Sequence, residues 1–180
     1  MFHTIKTITP ICVQLHAEGK TLVLATGFFD LLHAEHVNFL QKAKASGDVL
    51  IVGVESDERA RKIKGEGRPV ETQPVRCQHL LDLDIPAGPG LAGPSSLPAG
   101  PGPNGHIVDF VISLSSNFDH LEAYESLMSA VRPDIYAVSS HTSYLNNKQL
   151  LTEKYGGRLV IVHDWNPDIS TTKIIQKANI

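Results

Sequence analysis

The sequence predicts an α/β fold: an open, parallel, five-stranded sheet with helices on both faces, in one domain spanning 1–180. Three observations predict it. Five short apolar runs alternate with segments of helical periodicity. The strongest run, VLIVGV at 49–54, is apolar throughout and rich in β-branched residues, as a strand covered on both faces should be. A strand, a glycine turn and a helix, TGFFDLLHAEHVNFL at 26–40, lead into that run and complete a strand–helix–strand unit.

Taken in order, residues 6–18 carry Ile8, Ile11, Cys12 and Leu15 at helical spacing, and Gly19 is placed to end that helix. The first strand is 22–25. A helix over about 32–45 sets Val37 and Leu40 on successive turns and stops at Gly47. After the 49–54 strand, Ser56 caps a short helix through Lys64. KGEGRP at 64–69 reads as an exposed basic loop. A helix over 73–83 follows, with Val75, Leu80 and Leu83 inward.

Residues 85–105 differ in kind: six prolines and six glycines in 21 residues cannot build a core, so this stretch reads as a disordered surface insertion. Regular structure resumes with a strand at 107–112. A helix over 119–131 turns Leu121, Tyr124, Leu127, Met128 and Val131 inward, and Pro133 ends it. Strands at 135–138 and 159–162 flank a helix at 148–155 that Gly156 and Gly157 stop. A last helix begins beside Ser170, Thr171 and Thr172.

Composition narrows the class of function. The 180 residues are 42% hydrophobic, and no run approaches the roughly 20 apolar residues of a spanning helix, so no membrane partner is expected. A formal net charge of -3 argues against a nucleic acid held by bulk charge. Two isolated cysteines, Cys12 and Cys77, make neither a disulfide framework nor a metal site, and the start of the chain lacks a secretory pattern, so the expected location is cytoplasmic.

In such a sheet the ligand crevice lies at the carboxyl ends of the strands, near a switch in strand order. Three polar segments fall at those ends: FDLLHAEH, SSHTSY and ISTT. His33 and His36, three apart at a helix start, can donate to a phosphoryl group held over the helix N-terminus. A surface pair, or a metal pair with Glu35 between, are the competing readings; no third ligand is placed by spacing, so no metal site is expected. Ser170, Thr171 and Thr172 suit a helix cap as well as an anion site. Lys64, Arg68 and Arg76 fit a solvated basic face or a phosphate contact, and Asp30 orients the turn or holds a metal-bound water. A dinucleotide-binding oxidoreductase is set aside, because no GxGxxG follows the first strand.

Together these pieces resemble the nucleotidyltransferase family with a GxFDxxHxGH motif near its N-terminus and an ISTT-like motif near its C-terminus. Here the first is Gly27-Phe28-Phe29-Asp30-Leu31-Leu32-His33-Ala34-Glu35-His36 and the second Ile169-Ser170-Thr171-Thr172. SGDVLIVGVESDE, KGEGRPV, HIVDFVI, RPDIYAV and YGGRLVIV extend the likeness over most of the chain. Glu18-Gly19-Lys20 before the first strand, and KGEGRPV, resemble the heptose-1-phosphate adenylyltransferase branch. Cytidylyltransferases for glycerol 3-phosphate, phosphocholine and phosphoethanolamine usually carry Arg-Thr-Glu-Gly before the IST, where this chain has Trp165-Asn166-Pro167-Asp168.

The resemblance implies a Rossmann-like fold and transfer of a nucleoside monophosphate from ATP or CTP to a phosphorylated sugar or polyol, with release of pyrophosphate. Mg²⁺ would enter with the triphosphate. It implies that His33 and His36 contact the triphosphate, that Thr26, Gly27, Phe28, Phe29 and Asp30 run along the nucleotide, that Ser170 and Thr171 receive the β- and γ-phosphates, and that Thr172 also binds the nucleotide. Lys64 and Arg76 are implied at the substrate or leaving phosphate, and Val138 and Ser139 at the base. A homodimer is implied by the same likeness. A glycerol-3-phosphate or phosphoethanolamine cytidylyltransferase is the alternative substrate class.

Two segments depart from the family pattern. Glu35 replaces the glycine of HxGH, and Ser139-Ser140-His141-Thr142-Ser143-Tyr144 replaces a KGGDY-like loop. A carboxylate aimed at the phosphates would repel them by on the order of a kcal/mol. The alternative function is therefore a catalytically impaired nucleotide-binding regulatory module.

Overall fold

A computed structural model describes residues 1–84, 106–116, 118, 120–164 and 171–178. Its centre is a five-stranded, wholly parallel sheet of β1 (Leu22–Gly27), β2 (Val49–Val54), β3 (Phe110–Ser113), β4 (Ile135–Ser139) and β5 (Arg158–His163), ordered β3-β2-β1-β4-β5. The fold class is the one the alternation of apolar runs predicts. Order reverses between β1 and β4, so their carboxyl ends open the crevice where a ligand binds in such sheets.

Strand periodicity explains why the apolar runs are continuous. Leu22 and Leu24 of β1 enter one core with Val49 and Ile51 of β2, whereas Val23, Ala25, Leu50 and Val52 enter a second core on the other face. The first core is covered by α1 (Ile5–Ala17), α5 (Leu121–Val131) and α6 (Leu145–Lys154), and the second by α2 (Ala34–Lys44) and α4 (Gln73–Leu81). The helix ahead of β1 lies against α5 through Ile8 and Cys12, both buried. Two helices remain: α3 (Asp57–Lys64), capped by the Ser56 hydroxyl accepting from Arg59 N at 3.1 Å, and α7 (Thr171–Ala178).

Three aspartates tie the amino ends of the strands together, leaving the opposite edge for the site. Asp48 accepts Thr21 N at 2.8 Å, Asp134 accepts Leu22 N at 2.7 Å, and Asp109 accepts Leu50 N at 2.7 Å and the Lys44 ammonium at 2.6 Å. Each carboxylate satisfies a strand-entry N–H that has no ladder partner.

Several boundaries differ from expectation. β3 begins at Phe110 rather than 107, because the Asp109 side chain takes the Leu50 N–H there; Ile107 and Val108 are still buried. α6 begins at Leu145, three residues early. Val75 and Leu121 face outward, at 43% and 62% exposure, and the inward positions of α4 are Arg76, Cys77 and Leu80. KGEGRP is exposed from Lys64 to Gly67, but Arg68 turns in to Asp30. The expectations for the insertion at 85–105 and for Ser170 lie outside the described residues.

Candidate active site

The site grows from the turn that ends β1. Gly27 leaves room there for the Phe29 ring, which a Cβ at this position would meet at 3.0 Å, closer than an ordinary side-chain contact. Phe29 and Leu31 both take positive φ, 51° each, a conformation that costs a side chain energy unless its surroundings hold it. The holding groups are visible. The Arg76 guanidinium donates to Phe28 O, and the Thr171 hydroxyl donates to Asp30 O at 2.8 Å. The Asp30 carboxylate accepts from Arg68 Nε at 2.7 Å, from Val70 N at 3.0 Å and from Glu71 N at 3.1 Å. Asp30 thus orients the turn, and its oxygens are spent on that task.

His33 is the residue before α2 and is extended, with φ −133°, so the two histidines do not both sit within the helix as their spacing suggests. Their rings nevertheless stack, with centroids 3.8 Å apart and planes 19° apart. Phe29 meets the His36 ring edge-on at 5.5 Å. Both Nδ1 atoms are buried without a hydrogen-bond partner. Burial lowers the pKa of His33, opposed by the Glu35 charge. For His36, burial first and the neighbouring His33 second push it down from 6.5 to about 3, against a raising influence of Asp30. Both rings are neutral near pH 7, and the exposed first turn of α2 beside them carries N–H groups with no helical acceptor.

Around this pair lies a cavity of about 310 Å³ lined by residues of the ends of β1, β4 and β5 and of the first turns of α2 and α7. It gathers Thr26, Gly27, Phe28, Phe29, Asp30, His33, His36, Lys64, Val138, Ser139, Thr171 and Thr172, which are the expected positions at one locus. Arg76 is not among them. It is fully buried, with Nε donating to Glu71 O at 3.0 Å and Nη2 to Glu55 O at 2.9 Å and Asp57 Oδ1 at 2.7 Å, so its donors clamp loops and none faces the cavity. The sequence reading of Arg76 as a phosphate ligand gives way to a structural role on these contacts.

Glu35 also lines the cavity, but its carboxylate is engaged: Oε2 lies 2.8 Å from Nε2 of His163 at the end of β5. Lys42 Nζ stands 3.2 Å from Nδ1 of the same ring. A lysine ammonium only donates, so Nδ1 accepts and Nε2 carries the proton given to Glu35. His163 and Lys148, both in the cavity wall, were missed by sequence reasoning. His163 closes an apolar strand and Lys148 sits in a polar helix, and neither falls in a motif. Among the described residues no three His, Cys, Asp or Glu side chains gather to hold a metal ion, and no helix is long and apolar enough to cross a membrane.

A parallel sheet whose switch point joins a glycine turn, a neutral histidine pair and two helix N-termini defines an α/β domain with a crevice suited to an anion. Residues 24–85, which include His33 and His36, match the model of the cytidylyltransferase-like family. Along most of its length the chain also resembles "Bifunctional protein HldE" of Desulfatibacillum aliphaticivorans, 34% identical over 166 residues that make up 91% of this chain and 28% of that protein. The chain therefore spans less than a third of that relative's length. Among solved structures, the lipopolysaccharide core biosynthesis protein from Thermoplasma volcanium matches with a TM-score of 0.56 at 25% identity, over 81% of this chain and 96% of that one. Pantoate-beta-alanine ligase from Francisella tularensis, complexed with beta-gamma ATP and beta-alanine, shares the fold, with a TM-score of 0.58 at 14% identity over 98% of this chain and 75% of that one.

Proposed function

We propose that the chain is a nucleotidyltransferase that moves a nucleoside monophosphate from ATP or CTP to a phosphorylated sugar or polyol. The observation that carries this reading is the hydrogen bond from Thr171 Oγ1 to Asp30 O, which joins two segments 141 residues apart over one cavity. It brings the first turn of α7 alongside the histidine pair at the start of α2, so two helix N-termini meet at one anion-sized space. The KGEGRPV segment and Glu18-Gly19-Lys20, which resemble the heptose-1-phosphate adenylyltransferase branch, support a sugar-phosphate acceptor.

In this reading a phosphate oxygen of the acceptor forms a bond to the α-phosphorus. The bond from that phosphorus to the α,β-bridging oxygen breaks, and its electron pair leaves with pyrophosphate. His33 and His36, both in the cavity wall, donate to the charge that builds on the phosphoryl oxygens. Thr172 and the first N–H groups of α7 receive the outer phosphates. Thr171 contributes mainly through its backbone, since its hydroxyl proton is given to Asp30 O. Lys64, exposed at the cavity rim beside the Phe28 ring, neutralises phosphate charge. Mg²⁺ entering with the triphosphate would supply charge neutralisation there, and the Asp30 carboxylate, already accepting from Arg68 and Val70, would not be its ligand. A homodimer in the cytoplasm is part of this proposal.

Pyrophosphate release across an ATP, CTP, GTP and UTP panel, with sugar 1-phosphates and polyol phosphates as acceptors, tests the reading. Mg²⁺-dependent release with ATP or CTP and one acceptor class is expected. Nucleotide binding without release under every pairing would replace it with the second reading, a binding module, which the carboxylate of Glu35 inside the cavity favours. In that case Glu35→Gly would be expected to gain turnover.

A further inference from the structure

The cavity reaches both faces of the sheet. The histidine pair stands on the face where Phe29 and Ala137 pack, whereas Tyr136 and Val138 of the same strand β4 turn to the other face. On that other face α6 sends Lys148 into the cavity wall. Its Nζ donates to Thr142 Oγ1 at 2.5 Å and lies 5.9 Å from the centre of the Tyr136 ring. Tyr136 in turn shares a 2.7 Å hydrogen bond with Thr26, at the carboxyl end of β1. Lys148 therefore lines the site from the opposite face of the sheet to His33 and His36.

The ammonium is under-used where it stands. Glu55 attracts it, but Glu55 is engaged by Arg59 at 2.9 Å and by the Tyr124 hydroxyl at 3.1 Å. Burial lowers the pKa of Lys148, with Arg59 adding to the effect and Glu55 opposing it. A lysine has three donors, and among the described residues this one meets a single hydroxyl acceptor, in surroundings that disfavour its charge. An anion arriving here would meet unspent donors and relieve that cost.

In-line displacement decides which anion. The attacking oxygen must approach the α-phosphorus from the side opposite the leaving pyrophosphate. With pyrophosphate held by the first turns of α2 and α7, the attacking group enters from across the cavity. We infer that Lys148 anchors the phosphate of the acceptor, a sugar or polyol phosphomonoester, and so sets which substrates attack. The inference rests on the nucleotidyltransferase reading and names the residue that receives its second substrate. Lys148 exchanges no proton or bond in the step; it holds one phosphate oxygen while another attacks.

The test compares Lys148→Met and Lys148→Arg with the wild type. The acceptor KM should rise by about 10–100-fold in Lys148→Met, as for loss of a hydrogen bond to a charged group. Affinity for a non-hydrolysable nucleotide should change by less than about threefold, and Lys148→Arg should recover most of the loss. An unchanged acceptor KM overturns the inference. So does a parallel loss of nucleotide affinity, which would make Lys148 a nucleoside contact or a brace for the loop carrying Thr142. If the wild type releases no pyrophosphate, the transferase reading fails on its own. The lysine site is then decided by titrating inorganic phosphate into the wild type while following the Lys148 Cε resonance, assigned by its loss in Lys148→Arg. A saturable shift supports a phosphate site at Lys148, and an unmoved resonance rejects it.

Discussion

Glu35 Oε2 lies 2.8 Å from His163 Nε2, which lies in turn on a ring whose Nδ1 faces Lys42 at 3.2 Å. The pair joins the first turn of α2 to the end of the edge strand β5, 128 residues apart. A carboxylate in the position of the motif glycine is thus drawn toward the sheet edge. The distance between the two side chains, more than the presence of Glu35 alone, governs how much negative charge the phosphates meet. His163→Ala should release Glu35 and weaken nucleotide binding by about tenfold, roughly the Coulomb cost of one exposed like charge. Adding Glu35→Gly should restore affinity. Calorimetric Kd values for the four variants check this; purely additive effects would mean that His163 does not restrain Glu35.

Nucleotide binding should take up protons. Burial keeps His33 and His36 below their ordinary pKa, and a triphosphate beside them supplies the opposite charge that raises it. Affinity should therefore increase as pH falls from 8 toward 6, and calorimetry in buffers of different ionisation enthalpy should show uptake of a fraction of a proton. His36→Gln should reduce that uptake.

Stability should show the reverse trend in the absence of nucleotide. His36 titrates near 6.5 when unfolded and at about 3 in the folded chain, so between those values the unfolded state binds the extra proton. The stability contribution is complete above pH 6.5 and declines as pH falls toward about 3. Urea unfolding midpoints over this range should fall less steeply for His36→Gln than for the wild type.

Arg76 should matter for folding and not for substrate charge. Arg76→Met would strand the carbonyls of Phe28, Glu55 and Glu71 and the Asp57 carboxylate around an apolar chain. A loss of about 3–5 kcal/mol is expected, as when one partner of a buried pair is removed. Chemical denaturation measures it. Ordinary stability with only a raised KM would return Arg76 to the role of a phosphate ligand.

What could be read from the sequence, and what could not, divides along the range of the interactions. Leu22 to Ala25 and Val49 to Val54 declare themselves, because a strand covered on both faces needs no polar alternation. His33 and His36 declare themselves through spacing beside a glycine turn, and Thr171 through the hydroxyl run at a helix start. Arg76 misleads: on a linear pattern a buried clamp and a solvated cation look alike, and only the carbonyls around it tell them apart. Lys148 and His163 are silent for a related reason, since each gains its meaning from a partner on another element. The direction of Glu35 is likewise a tertiary fact, set by a ring at the far edge of the sheet.

The central claim is that the stacked histidines serve phosphoryl transfer at this cavity. Its most direct measurement is Mg²⁺-dependent pyrophosphate release by the wild type and by His36→Ala, with ATP or CTP and a panel of sugar and polyol phosphates. Release by the wild type is expected, with a fall of about 10²–10³-fold in kcat for His36→Ala, the cost of losing one donor to the transition state. Equal rates in the two proteins, or no release by the wild type with any pairing, would contradict it.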